Sequence, residues 1–456
     1  MNHKVIKQNI SCGESGPFKL KGSSLRGLAG TTIGFFVGFA SVALYGPTAV
    51  KFREAMDLSP FLVGLLVAFP SLSGSLLRIP FGAWVDTSGG RKPFLVLLVL
   101  SLLGLGGVTM LLNLTYPDNM HGLYWLVLLS GLLSGCGIAT FSAGIAQTSY
   151  WFPRKKQGFA LGAYAGLGNL APGLFSLILP FYLQRFGFIS AYFAWFLFLL
   201  TGTVLYAVIG INSYYFQLRK AGKTEQQSRA EAFRMGQELF PSGNVRASLL
   251  NSARSGNTWS LMAVYFTTFG GFIALTAWFP TYWNELHGFV AVKAGIYTAV
   301  FSLLASLFRV IGGKLSDKYE GEPASLVSLV IVLISSCILT FSGSPAFCMT
   351  AVILLAIGMG VTNAAVFKLV PYYIPDAVGG AAGWIGGLGA FGGFIIPPVM
   401  GIIADKFGKA GYSAGFAVFI FLSVINIFIV YKLYMTKKES VKGSNGQVLV
   451  SEPENL

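Results

Sequence analysis

The chain reads as an all-α membrane protein with twelve transmembrane helices in two pseudo-symmetric six-helix bundles. Three observations predict this. Of its 456 residues, 54% are hydrophobic and only 11% are charged, against about 25% charged in a typical soluble domain. The apolar residues arrive in repeated runs of roughly twenty or more, long enough to cross a bilayer core as helices. Finally, a motif in the second run returns in the eighth.

The runs fall at approximately 27–50, 60–85, 93–114, 122–148, 158–183, 188–213, 257–282, 290–316, 324–342, 346–373, 379–404 and 410–434. Backbone in lipid has no water to bond, so each run is expected to be helical. The first follows a polar tail and is too long for the apolar core of a signal peptide, so it is read as the first span. The chain then divides into an N-terminal tail (1–26), a six-helix bundle (27–213), a polar linker (214–256), a second six-helix bundle (257–434) and a C-terminal tail (435–456).

The formal charge of +15 does not point to nucleic acid, because Lys and Arg are not gathered on a soluble face. They lie between the runs and in the tails: Lys4, Lys7, Lys19, Lys21 and Arg26 at the start, and Arg154, Lys155 and Lys156 after the fourth span. The linker carries Arg219, Lys220, Lys223, Arg229, Arg234, Arg246 and Arg254, and Lys432, Lys437, Lys438 and Lys442 close the chain. An excess of Lys and Arg marks cytoplasmic loops. The pattern therefore predicts a multi-pass protein of the cytoplasmic (inner) membrane with both termini cytoplasmic. Cys12, Cys136, Cys337 and Cys348 show no zinc or CxxC spacing and are expected to be free thiols. No metal cluster, phosphate loop or nucleophile with an adjacent base is visible. We therefore expect no cofactor, no metal and no enzyme.

The second run reads Ser75-Leu76-Leu77-Arg78-Ile79-Pro80-Phe81-Gly82, then Asp86; the eighth reads Ser306-Leu307-Phe308-Arg309-Val310-Ile311-Gly312-Gly313, then Asp317. Both fit S-L-x-R-x-x-x-G-x-x-x-D. A weaker pair joins Gly166-Leu167-Gly168-Asn169 in the fifth run to Gly387-Leu388-Gly389-Ala390 in the eleventh. Second and fifth helices of each half are equivalent positions, and duplicated halves predict a substrate site between them near the midplane.

Arg78 and Arg309 are the sharpest signal. A charge at the bilayer centre costs between about 2.5 and more than 10 kcal/mol, so each guanidinium is expected to face a cavity or a partner. The spans hold almost no carboxylate away from their ends. Asp86 and Asp317 lie two helical turns further on. An anionic cargo is the remaining counter-ion. Ser71, Gly74, Ser75, Arg78 and Gly82 share one helical stripe, as do Ser302, Ser306, Arg309 and Gly313. The alternative is that the arginines act as packing struts on backbone carbonyls. Guanidinium is planar and offers a fork of donors, which suits a flat oxyanion. Phe141, Tyr265 and Phe269 are candidates to wall such a pocket, and Asn169 can bond into it. The glycines of the fifth and eleventh runs, including Gly392 and Gly393, permit close helix approach. Asp86, with Arg91 after it, and Asp317 are candidate gating residues at the helix ends.

Residues 27–434 resemble the major facilitator superfamily. More narrowly, the chain resembles its nitrate/nitrite porter family in Phe69-Pro70-Ser71-Leu72-Ser73-Gly74-Ser75-Leu76-Leu77-Arg78-Ile79-Pro80, the tract at Gly166–Asn169, the Arg309 segment, and Gly389-Ala390-Phe391-Gly392-Gly393-Phe394 with Pro397. The resemblance implies that Arg78 and Arg309 hold the anion, Asn169 and Tyr265 bond it, and Phe141 and Phe269 wall the pocket. Gly166, Gly168, Gly387, Gly389, Gly392 and Gly393 flank it. Leu170-Ala171-Pro172 departs from the family's small residues. The stretch Asn363–Pro371 is similar to a branch of nitrate/proton symporters; the other branch exchanges nitrate for nitrite. Lys368 is the extra cation inside a span and a candidate for coupling to protons. The expected partners are nitrate or nitrite, the lipid bilayer and, for symport, protons, with the monomer as the working unit. Two other readings stay open: another small anion, such as a carboxylate or organophosphate, on the same fold, and a transporter-like receptor.

Overall fold

The computed structural model describes residues 20–153, 157–241, 245–374 and 377–448. Lys4, Lys7, Lys19, Cys12 and the Arg154–Lys156 cluster lie outside them, as does the side chain of Asp317. Among the described residues, twelve helices are long and apolar enough to cross a membrane. They run Ser24–Met56, Pro60–Ser88, Arg91–Thr115, Tyr124–Ser149, Ala160–Phe186 and Phe188–Ile209, then Gly256–His287, Ala291–Ser316, Gly321–Phe341, Pro345–Val370, Gly380–Ala414 and Ala417–Glu439.

Burial sorts the spans. Spans 1, 4 and 7 are the most buried over their apolar windows, at 72, 67 and 67%, and spans 12, 6 and 9 the least, at 28, 33 and 39%. Exposed Leu103, Met110, Phe193, Val208, Phe421 and Phe428 on the outer spans are the surface that lipid covers. The halves meet chiefly where the second span packs on the eleventh and the fifth on the eighth. These are the spans that carry the duplicated motifs.

Several spans are interrupted, which the reading of one continuous helix per run does not anticipate. The second stops at Leu76 and resumes at Arg78. Pro80 has no N–H for the Leu76 carbonyl, and its ring crowds that oxygen. In the fifth, one helix ends at Gly168 and the next starts at Leu170, because Pro172 does the same to Gly168. The eighth span runs unbroken over Ala291–Tyr319, since Ile311 stands where Pro80 stands in the repeat. The eleventh breaks at Phe391, between glycines. The seventh takes a π turn over Phe266–Gly270, a local widening common at functional sites.

The linker is more ordered than its polarity suggests. It holds helices Tyr214–Lys220, Glu225–Arg234 and Val245–Ala253, and the second is closed by a Thr224–Gln227 capping box. The Trp384 Nε1–H donates to Leu249 O at 3.0 Å, tying the third to the eleventh span. The last helix continues to Val448, well into the stretch set apart as a tail. Cys136, Cys337 and Cys348 are free thiols.

The two ends differ. At the end away from the linker, the halves are closed by backbone contact: a Cβ on Gly64 meets Pro397 O at 2.6 Å and one on Gly401 meets Pro60 O at 2.7 Å. Arg53 Nη1 pairs with Glu285 at 2.7 Å and the Phe61 N–H donates to Asp405 Oδ2 at 2.9 Å, both across the halves. Toward the linker, a Cβ on Gly162 or Gly313 meets nothing within 4 Å, one on Gly82 meets only Ser142 of its own half, and one on Gly383 meets only Leu249 of the linker. The halves are thus in closer contact at the end away from the linker than at these glycines toward it.

Candidate functional site

The break after Leu76 places Arg78 at the start of a helix between the two bundles. Its side chain is 1% exposed. Nε donates to Gly74 O at 3.0 Å, and Nη1 reaches across the halves to Gly386 O at 3.1 Å. Nη2 is buried with no partner. Arg309, half-buried, donates from Nη2 to the Tyr265 hydroxyl at 3.0 Å. Among the described residues neither guanidinium pairs with a carboxylate. The strut reading is therefore half right for Arg78: two of its nitrogens are held by carbonyls and the third is not.

Aromatic faces take the place of a counter-ion. The Arg78 guanidinium lies 4.8 Å from the Phe141 ring and 5.2 Å from Phe269. Arg309 lies 5.2 Å from Phe269, 5.9 Å from Tyr265 and 6.0 Å from Phe141. Each desolvated contact of this kind is worth about 2 kcal/mol. Tyr265 stacks on Phe269 at 4.8 Å and Phe141 tilts against Phe269 at 6.2 Å, so the walls are rigid.

The glycine tracts repeat the symmetry in detail. A Cβ on Gly387 meets Ile79 at 2.8 Å, and one on Gly166 meets Val310 at 3.6 Å. Each glycine thus faces the residue after the other half's arginine. Gly168 makes room for the Phe35 ring and Gly389 for Tyr265, again equivalent places. Gly392 abuts Phe266 O and Gly393 abuts Ile273 and the Ser71 hydroxyl.

Asn169 sits at the fifth-span break, 2% exposed, with both amide atoms unpartnered. Its carbonyl accepts from Ser306 Oγ at 3.1 Å, across the halves. A small cavity of about 10 Å³ is lined by Asn169, Phe269, Ser306, Arg309 and Asn363, the room that one water needs. Asn363 Oδ1 and Ser302 Oγ are further buried atoms without partners. The sequence reading brings Arg78, Arg309, Asn169, Tyr265, Phe141 and Phe269 together, and the structure gathers all six. It did not single out Asn363. The signal was a lone amide in an apolar run, noticed there only as part of a family segment.

The remaining candidates lie elsewhere. Asp86 Oδ1 accepts from the Tyr150 hydroxyl at 2.5 Å. Arg91 is not beside it: its Nη2 donates to Ala207 O at 2.6 Å and its backbone N–H to Asn212 Oδ1 at 2.8 Å. The Asp86–Arg91 latch is thus absent among the described residues. The reason is local: the Gly89–Gly90 turn carries Arg91 onto the end of the sixth span. Lys368 Nζ donates to Ser316 O at 2.5 Å, toward the linker end of the eighth span, away from the arginine pair.

Two six-helix halves, a buried site at their seam and an internal repeat describe a known architecture, and comparison bears on it directly. The profile of the Major Facilitator Superfamily matches residues 31–395, and again residues 293–453. The chain belongs to this superfamily. It is 29% identical over 399 residues to a probable nitrate/nitrite antiporter, NarK1, of Thermus thermophilus, covering 82% of this chain and 84% of that one. It is 28% identical over 416 residues to the probable nitrate transporter NarT of Staphylococcus aureus (91% and 97% covered). It is 26% identical over 407 residues to the nitrite extrusion protein of Bacillus subtilis (89% and 94%). The fold is shared with the xylose transporter XylE of E. coli in a partially occluded inward-open conformation, at TM-score 0.69 and 16% identity over 90% of this chain and 99% of that one. As a member of this superfamily, the chain is a multi-pass membrane transporter.

Proposed function

We propose that this transporter moves nitrate and nitrite across the cytoplasmic membrane by alternating access, with both termini cytoplasmic and the monomer as the working unit. One observation carries the reading. Two guanidiniums, one from each half, converge on shared aromatic faces with no acid between them among the described residues, and one buried donor of Arg78 is unused. A small flat anion is the partner that such a box lacks. Its oxygens accept the fork of N–H donors, and its plane fits between rings. Sugars or bulky organophosphates need a wider, more polar cavity. The names of the relatives support the same cargo.

In this reading the linker end is cytoplasmic, so the molecule faces inward. The anion, bonded by guanidiniums from both halves, offsets part of their mutual repulsion and so draws the halves together. Coupling takes one of two forms: nitrate/nitrite exchange or nitrate/proton symport. Among the described residues no carboxylate adjoins the arginines, and exchange needs no proton carrier.

Counterflow in proteoliposomes tests cargo and coupling together. Labelled nitrate uptake is measured against internal nitrate or nitrite, with and without an imposed pH gradient. Uptake driven by internal nitrite alone supports exchange, and uptake driven by the gradient alone supports symport. No uptake of either anion under any condition overturns the proposal.

A further inference from the structure

We propose that Asn363 is a specificity-determining residue that holds the oxygen by which nitrate differs from nitrite. The inference rests on the anion reading above. Asn363 belongs to the tenth span, at the centre of the second half. Its side chain is 3% exposed and makes no hydrogen bond, with Oδ1 fully enclosed. Leaving the buried amide oxygen unpaired costs about as much as a lost hydrogen bond; with the amide turned, its NH₂ takes that enclosed place and calls for an acceptor such as an anion oxygen.

Close packing explains how it reaches the site. A Cβ on Gly360 meets Ala305 O at 2.6 Å and the Arg309 N at 3.2 Å, so the tenth span lies directly on the helix that carries Arg309. Three residues further on the same face, Asn363 enters the cavity that Arg309 and Asn169 also line. Asn169 comes from the first half and Asn363 from the second. Both side chains line one space, Asn169 with both amide atoms unpartnered and Asn363 with its Oδ1 unpartnered.

The chemistry follows from the number of oxygens. A guanidinium fork engages two oxygens of a planar anion. Nitrite has no others. Nitrate has a third, pointing away from the fork, and that oxygen needs a separate neutral donor. An amide NH₂ supplies it without adding charge, and a half-turn of the amide presents either end. Asn363 thus adds affinity for nitrate while contributing little to nitrite.

The test is competition against labelled nitrate counterflow, with unlabelled nitrate and nitrite titrated separately, for wild type, Asn363→Leu and Asn363→Ala. Leu keeps the volume and Ala does not, so filling and polarity are separated. Each variant is first checked for a monodisperse, thermally cooperative protein. A lost bond to a charged ligand weakens binding about tenfold or more. We expect the half-inhibiting concentration of nitrate to rise by about that factor in both variants, and that of nitrite to change less than about threefold. Equal shifts for the two anions, or no shift for nitrate in either variant, overturn the assignment of Asn363 alone. A wild type that carries neither anion overturns the transport reading and this assignment with it.

Discussion

Arg78 and Arg309 hold their guanidiniums at the same distance, 5.2 Å, from the centroid of the Phe269 ring. The chain duplicates the arginine but not the ring, which belongs to the seventh span, just inside its π turn. One aromatic face therefore reports the state of both cations. Two like charges converging on one ring repel; the aromatic faces offset part of that repulsion, and in the proposed reading an anion between them offsets more. On the same reading, binding is thereby coupled to closing the seam.

Phe269 is accordingly the residue whose loss should affect both halves at once. In Phe269→Leu the ring contact to each arginine is removed, at about 2 kcal/mol apiece where desolvated. We expect the apparent KM for nitrate to rise at least about tenfold. Phe269→Ala also leaves a cavity costing about 3–5 kcal/mol of stability, so its melting temperature falls well below that of the Leu variant. Transport kinetics and a thermal scan of both variants check this.

At Arg78 the fork matters more than the charge. Lysine keeps the cation but cannot span Gly74 O, Gly386 O and an anion together. Arg78→Lys is expected to lower nitrate kcat/KM by about a hundredfold, about 2.7 kcal/mol, while the protein still purifies as the wild type does. Initial rates in proteoliposomes measure it. Wild-type uptake by Arg78→Lys eliminates the bidentate geometry.

The glycine tracts give a paired prediction, because their symmetry is imperfect. At Gly387 an added methyl meets Ile79 Cγ1 at 2.8 Å, whereas at Gly166 it meets Val310 at an ordinary 3.6 Å. Gly166→Ala is expected to transport within about twofold of wild type. Gly387→Ala forces Ile79, and with it the helix start that carries Arg78, to shift; overpacking of this kind costs about 1–3 kcal/mol. Its turnover is expected to fall about five- to tenfold or more. Matched rates in the two variants contradict the close contact.

Much of this was legible beforehand. Twelve apolar runs gave twelve spans because lipid leaves backbone no alternative to the helix. The two arginines met at one place because the duplicated motif carries its own geometry: equal offsets within equivalent helices arrive at equivalent depths. What stayed hidden depended on the other half of each contact. Pro80 and Pro172 were visible, yet the breaks they cause depend on helices nearby that stabilise an interrupted span. The Arg78–Gly386 bond crosses 308 residues of sequence, and no local pattern encodes it. Arg91 misled because neighbouring opposite charges suggest a pair, while the backbone turn at Gly89 and Gly90 directs the side chain elsewhere. Asn363 was missed because an amide in an apolar run has no period to announce which face it occupies.

The closed end holds the last prediction. Arg53 lies at the end of the first span and Glu285 near the end of the seventh, and their 2.7 Å ion pair joins the halves. Both side chains are partly exposed, so the pair is worth up to about 1 kcal/mol. That is too little to decide folding, which rests on the buried core, but it acts wholly on the balance between the two open states. If the pair forms only while this end is closed, Glu285→Gln favours the state open at this end by up to about fivefold. Spin labels on the two halves at this end are expected to show more of the long distance in Glu285→Gln, with an unchanged melting temperature. The exchanged pair, Arg53→Glu with Glu285→Arg, restores the attraction and is expected to return the distance distribution to that of wild type. An unchanged distribution in Glu285→Gln means that the backbone contacts at Gly64 and Gly401 keep this end shut without the ion pair.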